Sequence, residues 1–527
     1  MATLHPYPPR PVLVPADHLA NALAEGRRRA RTLGVPILVS RAERVPAFDP
    51  LAIFAGAAGR GLRRVFWEHR DRDTGHQLAL AGIGSAFTLA SDPDAPFAST
   101  AADWRSVLAA ALIEGPATIR GVGPLALGGF RFDPRAPHTA LWTGFPDCSL
   151  VLPILTFTSV AGEHWLTTSL IVRPESDPAS LAGDIRRLRE RAIHAAQFTS
   201  AGVPPRMPYA WATPGLSRSV PAIRPQPEAG SHTSRRLAPS PQPEDILPET
   251  EWRHVVDQAA LDIRQGNLAK VVLAREVALS RSGSSFDPAD ALARLRLTFP
   301  DAYLFAVAPG GDQGTAGEPV FLGASPERLI RLAGGVLDTS CLAGSIARGS
   351  TVAEDDALGA RLVASAKDRV EHALVATMLR EQLGPLCETL EIGGTPELTR
   401  LANVQHLHTP VHGTLAAGPD GTVPCILDLV ARLHPTPAVG GSPRPEALEL
   451  IRRRERLDRG WYAGPVGWLD RHGEGEFAVA IRSALLRGGE ARLFAGCGIV
   501  GDSDSRSEYQ ESRLKLRAML GALAGSA

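Results

Sequence analysis

The stretch "GNLAKVVLAREVAL", residues 266–279, reads as a buried β-strand opened by a lysine. Side chains on a strand alternate between faces, so Val271, Leu273, Arg275 and Val277 share one side. Lys270 falls on the other, with Val272 and Ala274. An ammonium on a small, apolar face is either a strand-end charge reaching for water or a group kept for chemistry, and snorkelling is the commoner case. Further strands are predicted in "PVFLGA", "LIRLAGGVLDTS", "FAVAIRSALLR" and "ARLFAGCGIV". They mix with helices without the βαβ rhythm of a doubly wound fold, which predicts an α+β chain with largely antiparallel sheets.

The chain has 527 residues, 44% hydrophobic and 21% charged, enough for a large core and for two to four domains on length alone. Lys+Arg and Asp+Glu both total 56, so the net charge is zero. Nothing global draws it to nucleic acid or an anionic membrane, and an anionic ligand must be held by local groups. Five scattered cysteines without a C-x-x-C predict reduced thiols in a cytoplasmic protein. The proline-broken N-terminus does not read as a signal peptide, and no apolar run has the length of a membrane span.

A Pro-, Ser- and Arg-rich stretch, 221–249, predicts an exposed linker between residues 1–220 and 250–527. In the first part, "RVFWEH", "LALAGIGSAFTLA" and "CSLVLPILTFTSV" are strand-like, "PASLAGDIRRLRERAIHAAQ" is helical, and "IRGVGPLALGGFRF" suggests hairpin turns. In the second, 354–383 predicts one long helix whose core stripe is Leu358, Leu362, Ala366, Val370, Leu374 and Met378. A last helix is predicted from about Ser507 to Leu523.

Several polar groups fall on otherwise apolar faces. Glu371 sits beside the long stripe and needs a partner, either Lys367 one turn back or a distant cation. Glu508, Glu511 and Lys515 share one face of the last helix, where an i,i+4 Glu511–Lys515 pair competes with a role as carboxylate ligands for a hard cation such as Mg2+. "GCGIVG", 496–501, spells G-x-G-x-x-G, but too little chain follows for a dinucleotide-binding unit. His406, His408 and His412 share a strand face, where mixed core and surface histidines are favoured over a zinc site. "FLGASPERL" places Glu327 just after a strand, and "SCLAGSIARG" places Gly344 and Ser345 in a tight turn able to face an anion.

In order, "KVVLAREV", "FLGASPERL", "LAGSIARG", "SAKDRVEHALV", "LHPTPAVGG", "WYAGPVGW", "AVAIRSALL", "LFAGCGIV" and "SEYQESRLKL" resemble the chorismate-binding enzymes that make isochorismate, salicylate, anthranilate and aminodeoxychorismate. The resemblance covers about 250–525, with 1–220 as the family's variable N-terminal part. It implies an anthranilate-synthase-like fold of two large, mainly antiparallel sheets with helices outside. It also implies Mg2+ on Glu371 and Glu511, with Glu508 nearby, and chorismate against Gly344, Ser345, Ala438, Arg482, Gly496 and Lys515. Arg482 and Lys515 suit its carboxylates on charge.

Water-using members of the family carry a lysine where Lys270 stands. The resemblance therefore implies Lys270 as general base and Glu327 as the acid that protonates the departing hydroxyl, which is an isochorismate synthase. A base at neutral pH needs the lysine pKa brought down from about 10.4, and an acid needs a carboxyl raised. Salicylate synthase, an ammonia-using synthase and a non-catalytic scaffold of the same fold are the other readings. The expected partners are chorismate and isochorismate, with no nucleic acid, no membrane, no glutaminase subunit, and a monomer or weak homodimer.

Overall fold

The computed structural model describes residues 17–71, 75–199, 242–266, 268–311, 317–400, 404–419 and 421–524. Most of the predicted linker, 221–241, and the first 16 residues lie outside them. Among the described residues the strands form two sheets, of thirteen and ten strands. Apart from one parallel pair, Ile37–Arg44 with Leu112–Glu114, the pairings are antiparallel. This is the predicted α+β class, with eleven α-helices among the described residues.

The two parts of the chain share both sheets. In the larger, Tyr303–Ala308 pairs with Arg64–Arg70 (Leu304 opposite Glu68). In the smaller, Pro465–Asp470 pairs with Leu125–Phe130. Leu125–Phe130 is thus a central strand, where the sequence suggested only turns. Its glycines misled because their purpose is closeness: a Cβ on Gly128 would stand 1.8 Å from the Ser149 carbonyl oxygen. Between the sheets lies a core holding Trp67, Phe305 and Phe321 from one and Phe130, Trp468 and Phe477 from the other. Helices Pro50–Gly56, Pro288–Thr298 and Ser505–Ala524 cover the outer face of the larger sheet.

The chain changes sheets several times, two of them at 325–328 and 479–483. The chain leaves the larger sheet at Ser325 and enters the smaller at Arg328; it returns between Val479 and Ser483. "LIRLAGGVLDTS", expected as one strand, is a hairpin turning at Gly334–Gly335. "FAVAIRSALLR", also expected as one, is two strands in different sheets. The switch segments lie side by side: Val479 N–H donates to the Glu327 carbonyl at 3.1 Å, and Ala324 N–H donates to the Arg482 carbonyl at 3.1 Å.

The predicted helix 354–383 breaks at Ser365, whose hydroxyl caps a second helix by accepting from Asp368 N–H at 3.2 Å. The break re-phases the stripe. Leu362 is buried in Val352–Ala364, and His372, Val375, Leu379 and Leu383 are buried in Ala366–Leu383, while Val370 is 63% exposed. The end of the predicted linker is ordered too, since Glu244–Asp245 pairs with Lys270–Ser280 and a helix begins at Glu249.

Candidate active site

A cavity of about 340 Å³ opens beside the two switch segments. Lys270, Glu327, Gly344, Ala438, Arg482, Gly496, Lys515, Glu371 and Glu511 all line it, brought together from stretches as much as 245 residues apart in sequence (Lys270 to Lys515). Of Ser345, only the backbone lies within the described residues, on the strand Val336–Ala347. That strand corrects the expected tight turn: Gly344 forms a bulge with φ +75°, and a Cβ there would stand 2.9 Å from the Asp368 Cβ. Glycine serves both the backbone and the close approach.

Lys270 is 3% exposed, at the start of a strand buried on both faces. It does not reach for water. Its ammonium pairs with Glu371, a partner 101 residues away rather than the i−4 lysine considered from sequence. Gly498 makes the room, since a Cβ there would meet Lys270 Cε at 2.6 Å. Gly496 and Gly498 of "GCGIVG" thus line the cavity.

Glu327 sits between the two sheets, in the short gap after Ser325. Burial pushes its carboxyl up to about 7, although Lys270 and Lys515 pull the other way. Much of it is protonated at neutral pH. The next residue, Arg328, is anchored by Tyr303 Oη at 2.7 Å, Glu476 at 3.2 Å and Asp71 at 3.2 Å. That buried network fixes the backbone that presents Glu327.

Arg482 occupies the second switch segment with φ +52°, a left-handed conformation that costs a side-chain-bearing residue energy. Its Nη1 is buried without a hydrogen-bond partner among the described residues, and burial lowers its pKa below the usual arginine value. A strained, desolvated guanidinium facing a cavity is prepared for an anion.

The last helix, Ser505–Ala524, starts two residues before the predicted position and ends one after it. Glu508, Glu511 and Cys497 have ligand atoms within 4.8 Å of one another. Cys497 donates to the Glu508 carbonyl at 3.2 Å, and burial raises its thiol pKa, so the ready ligands are carboxylate oxygens. With Glu371 and Asp368 on the facing helix they make an oxygen-rich corner suited to a hard cation. Lys515 pairs with Glu511 at 2.7 Å and donates to the Gly496 carbonyl at 2.9 Å.

Several lining residues were missed, among them the polar Asp368, His406, Arg459 and Tyr462. Asp368 lies one turn before Glu371, an i,i+3 signal legible in "KDRVE". His406, read from sequence among mixed core and surface histidines, lies at the cavity wall with Nδ1–H donated to the Gly344 carbonyl at 3.1 Å. Burial holds its pKa down to about 4, so the ring is neutral and Nε2 is an acceptor. His412 instead pairs with Asp338 at 2.6 Å and is exposed. No zinc-like group forms on this strand among the described residues.

The family model described as chorismate binding enzyme matches residues 23–208 and 222–524. The chain is 39% identical over 495 residues to a salicylate biosynthesis isochorismate synthase of Pseudomonas aeruginosa, covering 94% of this chain and 92% of that one. It is 32% identical over 506 residues to the isochorismate synthase MenF of Bacillus subtilis, covering 94% and 96%. The solved menaquinone-specific isochorismate synthase of Escherichia coli superposes with a TM-score of 0.66 at 27% identity, covering 95% of this chain and 99% of that one. The chain belongs to the chorismate-binding enzyme family.

Proposed function

We propose that this protein is an isochorismate synthase, an isomerase that adds water at carbon 2 of chorismate and expels the hydroxyl at carbon 4. The observation that carries the mechanism is one cavity holding Lys270 and a Glu327 whose carboxyl is raised to about 7. Lys270 takes the proton of the attacking water, and Glu327 gives its proton to the leaving hydroxyl. Arg482 and Lys515 receive substrate carboxylates, against Gly344, Ser345, Ala438 and Gly496. His406, as a neutral acceptor, orients a substrate hydroxyl.

Glu371 and Glu511, with Glu508 close by, would hold Mg2+, which would tie one substrate carboxylate to the enzyme and neutralise it. No helix among the described residues is long and apolar enough to cross a membrane, and all five cysteines are free thiols. We place the enzyme in the cytoplasm as a monomer or weak homodimer that needs no glutaminase. Residues 1–220 and 250–527 act as one unit joined through 221–249.

Product analysis from chorismate and Mg2+, with and without ammonium, tests the reading. Isochorismate should form reversibly, with no amination. Stoichiometric pyruvate in a lactate-dehydrogenase-coupled assay would make the enzyme a salicylate synthase, and an aminated product would make it an ammonia-using synthase.

A further inference from the structure

The two carboxylates assigned above to the metal are each already engaged by a lysine. Lys270 pairs with Glu371 and Lys515 pairs with Glu511. These are the same two lysines that the reaction needs for other work, one on water and one on a substrate carboxylate. One pair joins two elements, with Lys270 from the strand Lys270–Ser280 and Glu371 from the helix Ala366–Leu383, while Lys515 and Glu511 share the last helix. All four side chains line one cavity.

We propose that Lys270 and Lys515 are stand-in cations, which hold the two metal carboxylates neutral in the metal-free site and must be displaced when a divalent cation enters. The inference rests on the metal reading above. A dication brought to Glu371 and Glu511 takes the position of two ammonium groups and meets their repulsion at short range, in surroundings that screen charge poorly. The lysines therefore lower the affinity for metal, and metal entry is what separates Lys270 from Glu371 and leaves it to face the reacting water. The effect is larger at Lys270. Its side chain is 4% exposed against 26% for Lys515, and Glu371 is 25% exposed against 43% for Glu511, so solvent screens the second pair more.

Calorimetric titration of the substrate-free protein with Mn2+ tests this without reference to turnover. Lys270→Met should bind Mn2+ about tenfold or more tightly than the wild type, because it leaves a half-buried carboxylate without its partner for the metal to relieve. Lys270→Arg, which keeps the cation, should stay near the wild-type affinity, and Lys515→Met should tighten binding by a smaller factor. Unchanged or weaker binding in Lys270→Met overturns the proposal. So does a Lys270→Arg variant as tight as Lys270→Met, since the gain would then come from shape and not charge. Should Lys270→Met fail to fold by thermal melting, Lys515→Met decides, and an unchanged affinity there counts against the proposal. A wild type that makes isochorismate with Mg2+ but whose variants keep its affinity loses this inference alone. A wild type without metal-dependent product loses the functional reading instead.

Discussion

Residues 17–199 and residues 242–524 build the same two sheets strand against strand, yet every residue that lines the cavity belongs to the second group. The first group also crosses between the sheets, at 83–87 and 152–155, so a crossing alone makes no site; the cavity forms where two crossings meet the strand start at Lys270 and the helices Ala366–Leu383 and Ser505–Ala524. The segments around Pro326–Glu327 and Ala480–Arg482 leave one sheet for the other, and there a side chain can point between layers. The first group supplies support instead. Arg64 pairs with Glu318 at 2.6 Å, and Asp71 holds Arg328, the residue after Glu327. One part of the molecule lines the cavity and the other braces its backbone.

Three sets of substitutions would break or sharpen that contrast. The largest effect on turnover is expected at the metal carboxylates. Glu371→Ala or Glu511→Ala should abolish Mg2+-dependent conversion, because a site with few protein ligands loses both charge and geometry when one is removed. Chorismate consumption at ordinary Mg2+ is the measurement, and full activity in both variants would return the two residues to simple ion pairs.

Next come the base and the acid. Lys270→Ala and Glu327→Gln should each cut turnover by about 10²–10⁴, with substrate binding largely kept. In the proposed mechanism Glu327 acts in its protonated form, and its pKa is raised to about 7. The wild-type kcat/KM should therefore fall on the alkaline side as pH rises through about 7. In Glu327→Gln that limb should vanish from the residual rate. An unchanged limb in the variant would assign it to another group.

How much of this was legible depends on how local each signal is. The antiparallel α+β class follows from alternation and from the lack of a βαβ rhythm, both short-range properties. The sheet switches were hidden because "FAVAIRSALLR" is apolar on both faces in either sheet, so its period says nothing of where one strand stops. Only the positive φ of Arg482 marks the place, and a backbone angle is not written in composition. The partner of Glu371 was hidden for a related reason. A search by helix spacing finds Lys367, whereas the structure supplies Lys270 from another element. Lys270, Glu327, Arg482, Glu371 and Glu511 were reachable as a set only through nine motifs in one order, since each alone has an ordinary structural explanation.

The smallest effect on turnover is expected in the first group of residues, and it tests the division directly. Phe157 lies on Leu155–Val160 and is 1% exposed. It packs in a core that joins helices Asp17–Leu33 and Pro178–Thr199 to the outer face of the larger sheet, separate from the core between the sheets. Its ring meets Phe48 edge-on at 5.4 Å. Phe157→Ala should cost about 3–5 kcal/mol through lost burial and the cavity left behind. An unfolding entropy of about 2.1 cal/mol/K per residue over this length amounts to ~1 kcal/mol/K, so Tm should fall by about 3–5 °C if unfolding is cooperative. None of that cost touches Lys270, Glu327 or the carboxylate corner, so kcat and KM at 25 °C should stay within about twofold of the wild type. Calorimetric melting and steady-state kinetics on the same preparation decide it. A loss of kcat well beyond that range at a temperature where the variant is folded would mean that the supporting part also shapes the cavity, and the contrast between the two regions would have to be redrawn.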